Sequence, residues 1–536
     1  MPPSNSTSLS FWRWVATAGL VVCGALIAGC TVGPNYHKPS TDVPSVYKEQ
    51  PPPGWKEAQP QDDIGKGAWW EIFGDTTLND LEKQAVAQSL TLRAAAERVI
   101  EARANYQVTR SDLFPQVAAQ PNISRSRESG TRPNPPGFPN APFTSNDFDL
   151  PASVSYEVDL WGRIRRQIES ARADAQASQA DYENVLLTLK SDVAQTYFSL
   201  RYIDTELAIF NHNIDLLQQG LNLAELRHNG GIVSGLDVSQ AQTLLDSTQA
   251  TYVGLGLQRA QFEHNLALLL GKPASAFSLG PDPRLIVPPQ IPEGLPSDLL
   301  ERRPDVAEAE RRMASSNAQI GVARAAFFPD VSLTAGGGYL SSSLVKLFDF
   351  SSLVWDAAAS ANAPIFTGGR LSGNLVRTEA VYHENVDNYR EQVLVAFKDV
   401  EDALAGLRIL EDQEIAQNRA VDAARRTAEI STSRYKEGLA VYIEVIDAER
   451  DVLTNEQEAV QLREQRLLTT AQLIKALGGG WEESKVYGPI PKHVHQEDTP
   501  ADLTPASPAI NPPATAPSTS GTTKTAPAVM AERKSE

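Results

Sequence analysis

The chain has 536 residues, a formal net charge of −18 and a pI near 5.0. That acidity argues against a nucleic-acid partner, because such partners select basic surfaces. Its two cysteines, Cys23 and Cys30, both lie in the first 30 residues, so no disulfide framework holds the remainder.

The N-terminus reads as a signal. Arg13 precedes an apolar run from Val15 to Ala28. That run is too short and too close to the N-terminus to span a bilayer comfortably. It ends on Leu26-Ile27-Ala28-Gly29-Cys30, which has lipoprotein-signal spacing. Cleavage after residue 29 would leave Cys30 as the new N-terminus, acylated on its thiol and amine. Each buried CH₂ of those chains adds roughly 0.8 kcal/mol of membrane attachment. An uncleaved anchor and an ordinary secretory signal are the alternatives. Thr31 in place of an aspartate favours delivery to the outer membrane. Residues 30–74 then form an extended, lipidated segment, and the lipid on Cys30 is the only attached group expected. No other cofactor and no metal is expected.

The rest of the chain is written twice. Phe114-Pro115 matches Phe328-Pro329 at an offset of 214, and Arg110 matches Arg324. Further on, Gly162-Arg163 matches Gly369-Arg370 at an offset of 207, and that offset then holds through Arg227/Arg434, Gly231/Gly438 and Gly271/Gly478. The first copy spans 75–286 and the second, with segments expected around the equator, 287–487.

Each copy follows one order. A helix comes first; in copy one Leu81, Ala85, Leu92, Ala96, Val99 and Arg103 mark a single helix. Proline then ends it. Alternating strands follow. Val154, Tyr156, Val158 and Leu160 share one face, and Glu157 and Asp159 lie on the face that would line water. Val331, Leu333, Ala335, Gly337 and Tyr339 share one face of the second copy's strand. About ten residues suffice for a tilted membrane strand. Arg125–Asp149 reads as an exposed loop, and Leu340–Leu353 as a shorter one.

After the glycines the period changes. Leu189, Val193, Leu200, Ile203, Phe210, Leu217 and Leu221 form a heptad seam. Roughly 65 helical residues make a rod of about 100 Å. A turn at His228–Gly235 sends a second helix back, and copy two repeats the plan with its turn at Gly438. Pro304 and Asp305 of "ERRPDV" suit a helix start, with Arg302 and Arg303 in structural ion pairs. From residue 488 to 536 the chain is rich in Pro, Thr and Ala and reads as disordered. No catalytic triad, Cys/His pair or metal cluster stands out, so no enzyme is expected.

Two hairpins supply four strands, too few to close a barrel, and an open edge is not tolerated in lipid. Three chains would supply twelve strands and twelve helix segments.

The motifs "GCTVGPNY", "WWEIFGDTTLNDL", "DLWGR", "ERRPDV", "PIFTGGR" and "RYKEGLAVYIEVIDAER" occur in this order. With them the sequence closely resembles the outer membrane efflux protein family, the TolC-like proteins, in its lipoprotein branch. The resemblance implies an α+β homotrimer: a 12-stranded outer-membrane β-barrel continued by a 12-helix periplasmic α-barrel. It also implies outer-membrane lipids, a periplasmic adaptor and an inner-membrane RND transporter as partners. The function implied is export of small molecules or drugs. A type I protein-secretion duct and a structural coiled-coil lipoprotein are the alternatives. Arg227, Gly231, Arg434, Tyr435 and Gly438 are expected at the tips that meet the adaptor, and Asp237, Ile443, Glu444 and Asp447 at the gate. The sequence departs from the best-known pattern at Ala440 and His228, so an apolar seal at Ile443 is expected in place of a charge lock.

Overall fold

The computed structural model describes residues 31–39, 47–49, 68–131, 142–284, 286–289 and 303–479. All fall within one compact unit, Met1–Gly488. The expected signal, Cys30 and the tail 488–536 lie outside the described residues, as does Arg302.

The duplication appears as equal elements. Helices α1 (Thr76–Gln88) and α2 (Leu90–Ser111) lead into strands β1 (Gln116–Ala119), β2 (Asn122–Arg127) and β3 (Thr144–Val158). Helices α3 (Arg163–Asn229) and α4 (Gly235–Leu269) follow. The second copy gives α5 (Pro304–Ala325), β4 (Asp330–Ser341), β5 (Leu353–Asn362), α6 (Arg370–Lys436) and α7 (Tyr442–Ala476). The pairs α2/α5, α3/α6 and α4/α7 have 22, 67 and 35 residues each. At 1.5 Å per residue, α3 and α6 are rods of about 100 Å. Among the described residues no helix is long and apolar enough to cross a membrane.

Ser89 corrects the expectation of one helix over Leu81–Arg103. Its ψ of 123° leaves the helical region and its hydroxyl accepts from Leu92 N–H, so it ends α1 and caps α2. A serine side chain that satisfies an orphan N–H competes with helix continuation. Asp75 caps α1 in the same manner, accepting from Thr77 and Leu78 at 2.8 and 3.1 Å.

The strands form one antiparallel sheet in the order β1/β2–β3–β4–β5. β1 and β2 are one strand by register: Ala119 faces Ala152 and Asn122 faces Asp149. Between them Gln120 donates to the carbonyl of Pro151, which has no N–H to return. β2 and β3 also run past Arg125 and Asp149, so part of the expected loop is strand. Polar residues pair there, and Ser126 meets Ser145 at 3.0 Å. A ladder of backbone bonds needs no apolar side chains, so alternation underestimates its length.

Each long helix starts from a glycine in the left-handed region, Gly162 at φ +79° and Gly369 at φ +87°. A side chain is strained there, which explains the shared Gly-Arg. Asp159 lies beyond β3 and is no lumen residue, a second correction. Its carboxylate accepts from Ile164 and Arg165 N–H at 3.1 and 3.0 Å and caps α3. Glu157, still on β3, is tied to Arg163 at 2.6 Å.

Near the sheet the helices lie in the order α2–α3–α5–α6; farther out the order is α4–α3–α7–α6. The core is a string of clusters along this bundle. Trp69, Trp70, Leu78 and Tyr197 form one, and Met313, Tyr389, Val400 and Leu473 another. The repeat linker is fastened by buried Asp204, which pairs with Arg201 and Arg259 at 2.8 and 2.7 Å and accepts from Asp282 N–H. Arg303 pairs with Asp305 and Asp399, as the sequence suggested.

Candidate functional site

The tips farthest from the sheet gather most of the expected residues. Both turns are the same device. Gly231 N–H bonds His228 O and Ile232 N–H bonds Arg227 O; Gly438 and Leu439 bond Tyr435 and Arg434 likewise. This is the Schellman closure, which needs a left-handed residue, here Gly231 at φ +71° and Gly438 at φ +80°.

Behind the turns a core locks the two hairpins together. Leu217, Leu221 and Ala224 of α3, Leu244 and Leu245 of α4, and Val445 and Ile446 of α7 surround Tyr435 and Tyr442. The two rings lie 5.0 Å apart. Tyr435 is only 3% exposed. Its ring belongs to the core and is not a contact surface, which corrects its placement among the adaptor residues. The reason is geometric: one turn of α6 before the Schellman glycine points back into the bundle.

Arg227 ties this core across the copies. Its guanidinium sits 4.5 Å over the Tyr435 ring and donates to the Tyr435 carbonyl. Burial pushes the Tyr435 hydroxyl up, Arg227 pulls it down and Asp237 pushes it up again. Tyr442 is pushed to about 12, first by burial and then by Tyr435, Glu449 and Asp237. Asp237 lies in the first turn of α4, whose cap is Ser234, near enough for its charge to raise both hydroxyls.

The remaining gate residues face outward from α7. Glu444, Asp447 and Ile443 are exposed, while Tyr442, Val445 and Ile446 between them are buried. Glu444 also pairs with Arg434 at 3.5 Å. Both side chains are about half exposed, so the pair is worth at most about 1 kcal/mol. Ile443 is flanked by exposed Leu439 and Val441, so the rim carries apolar as well as acidic groups. The structure thus brings Arg227, Tyr435 and Asp237 together, and Arg434 with Glu444. The Arg227–Tyr435 stack and the part played by Tyr442 escaped the sequence reading. The signal was present in the 207 offset, since His228 stands where copy two has Tyr435.

At the sheet end the N-terminal segment docks on the start of α3. Val32 N–H donates to Trp161 O at 3.0 Å, and Arg166 reaches Asn35 at 2.8 Å. Thr31 packs on Gly162, where an added Cβ would lie 2.8 Å from its side chain. Trp161 stacks on Phe328 at 4.7 Å and donates to Pro329 O, joining a motif of one copy to a motif of the other.

A family profile described as outer membrane efflux protein matches residues 81–272 and 295–479. The chain belongs to the outer membrane efflux protein family. It is 33% identical over 468 residues to the cation efflux system protein CusC of Escherichia coli, covering 87% of this chain and 99% of that one. It is 35% identical over 424 residues to the pyoverdine export outer membrane protein OpmQ of Pseudomonas aeruginosa, covering 78% and 88%. Its fold is similar to the open state of the MtrE outer membrane channel of Neisseria gonorrhoeae, with a TM-score of 0.72, 28% identity, and 85% and 99% of the two chains covered. The TolC-like channel fold, the outer-membrane location and an efflux role follow from membership of this family. The described helices and sheet occupy the places the family fold requires.

Proposed function

We propose that three copies of this chain form a gated exit duct, which receives small molecules from a periplasmic adaptor and an inner-membrane RND pump. The observation that carries this reading is a four-stranded sheet continued, through Gly162 and Gly369, into two 67-residue helices. Four strands leave two open edges, which lipid does not tolerate, and three chains close them into twelve. The chain acts as a duct and not as an enzyme. The printed names of its relatives range from cation efflux to pyoverdine export. Substrate choice on this reading rests with the pump. Cys30, one residue before Thr31, carries the lipid that anchors the chain to the membrane. The division into 75–286 and 287–487 is the division into one barrel hairpin and one helical hairpin each.

The helical tips form the closed mouth. Arg227, Gly231, Arg434 and Gly438 present the turns to the adaptor, and the exposed apolar residues beside them suit contact with a second protein. Asp237, Glu444 and Asp447 place three carboxylates per chain around one axis, where a narrow mouth strengthens their field. Ile443 adds a dewetting barrier. Planar-bilayer recording tests both levels. The native protein should open cation-selective pores, and Glu444→Ala/Asp447→Ala should lose most of that selectivity and block by trivalent cations. Absence of any pore would refute the duct. Retained selectivity and block would refute the carboxylate gate.

A further inference from the structure

Within the chain the two copies meet near the sheet, where β3 pairs with β4 and α3 packs on α5, and again farther out, where α3 and α4 pack on α7. The sequence offsets make α2 the counterpart of α5 and α6 the counterpart of α3. Among the described residues no further helix packs on α2 or on the start of α6, and no strand pairs with the outer edges of β1/β2 and β5; residues 48 and 49 bond α6 farther along, at Glu401 and Arg408. A heterologous contact repeated about an axis closes into a ring. The internal contact therefore supplies a template for the contact between chains.

We propose that α2 of one protomer docks on α6 of the next as α5 docks on α3, joined by an antiparallel charge ladder at three positions where the internal contact has no pair of opposite charges. Inside the chain the three matching positions hold no pair of opposite charges, and Arg311 is their single charged member. Ser170 meets Ser315 at 2.8 Å, Gln176 accepts from Arg311 at 3.5 Å, and Ala180 packs on Ala307. The offsets carry these three contacts to Arg377 with Glu101, His383 with Glu97, and Asp387 with Arg93. The outer two pairs have opposite formal charge, and the middle pair sets an imidazole against a carboxylate. All six side chains are exposed in the single chain. Arg377 there donates to Asn374 at 3.1 Å, and Asp387 lies 3.4 Å from Arg390. Both are local contacts that a neighbouring chain can replace.

The difference between the two contacts has a physical use. If α2 took the place of α5 on α3, Arg93, Glu97 and Glu101 would face Ala180, Gln176 and Ser170. Ala180 and Ser170 are buried at 0% and 2% exposure. Charges placed there would be desolvated without partners, which strongly disfavours that arrangement. The ladder thus fixes which copy sits where, by excluding the wrong order as well as favouring the right one.

The same offsets extend to the sheet. They already hold inside each hairpin, since Gln116 faces Ser155 and Asp330 faces Asn362. Carrying over the β3–β4 register, in which Ala152 faces Gly337, sets Ala359 of one chain opposite Ile123 of the next.

The inference rests on the trimeric duct proposed above, and cysteine crosslinking of the full-length protein separates the two. Both native cysteines lie before residue 31, so introduced pairs report alone. Glu101→Cys/Arg377→Cys, oxidised in membranes, should convert most of the monomer band to covalent trimer on a non-reducing gel. Ser170→Cys/Ser315→Cys should stay at monomer mass. A first pair that stays monomeric in a protein that still trimerises on native gels would overturn the pairing and leave the duct standing. Covalent oligomers from the second pair would mean exchanged repeats and would also overturn it. Should the helix variants fail to assemble, Ala359→Cys/Ile123→Cys reads the same seam, and absence of trimer there refutes the register.

Discussion

Removing the Arg227 side chain tests whether the Arg227–Tyr435 stack holds the proposed mouth shut. Arg227→Ala deletes the guanidinium over Tyr435 and its bond to the Tyr435 carbonyl. A partly desolvated cation–π contact is worth about 1–2 kcal/mol. A charge-assisted hydrogen bond adds about 1.5–3 kcal/mol. Water can reach the freed carbonyl at a tip, which offsets part of this, so a net loss of about 2–3 kcal/mol per chain is reasonable. At 1.4 kcal/mol per tenfold, each chain's closed tip loses about 30- to 150-fold against a separated one. The tyrosines keep their apolar core, so the fold should survive. Single-channel recording should show longer and larger openings, and cells should become sensitive to antibiotics too large for the closed duct. Arg227→Lys, which keeps the charge but not the planar stack, should fall between. Unchanged open probability and sensitivity in Arg227→Ala would refute the stack as a latch.

Two further outcomes follow from the anchor and the core. Cys30→Ser should abolish labelling by a fatty-acid analogue while leaving barrel insertion possible; retained label would refute acylation at that residue. Glu82 is fully buried in α1, and burial raises its pKa to about 9 against a weaker opposing effect of Lys190. A raised carboxyl binds a proton in the folded state that the unfolded chain has released, so stability falls as pH rises from about 4.5 to about 9. Glu82→Gln should therefore raise the melting temperature more at pH 8 than at pH 5, by several degrees in a calorimetric scan, and equal shifts at both pH values would refute the neutral buried acid.

The sequence by itself determined the duplication, and with it most of the architecture. Two copies at fixed offsets must place the same elements in the same order, and α2/α5, α3/α6 and α4/α7 indeed match in length. Local punctuation was legible because it acts on its own backbone. Pro115 and Pro329 stop helices, Gly162 and Gly369 start them, and Gly231 and Gly438 turn them. Heptad periodicity located the buried face of α3, for instance Val193, Leu200 and Phe210.

What only the tertiary structure decided is what each face meets. Ser89 breaks a helix that periodicity would continue, and Asp159 caps α3 although alternation put it on a strand. Tyr435 looks like a tip residue by position, yet Arg227 and α3, more than 200 positions away, enclose it. Periodicity reports that a side chain points away from its own helix axis. Whether that direction holds water, lipid or another helix depends on contacts between residues far apart in the chain, and those are set only when the bundle closes.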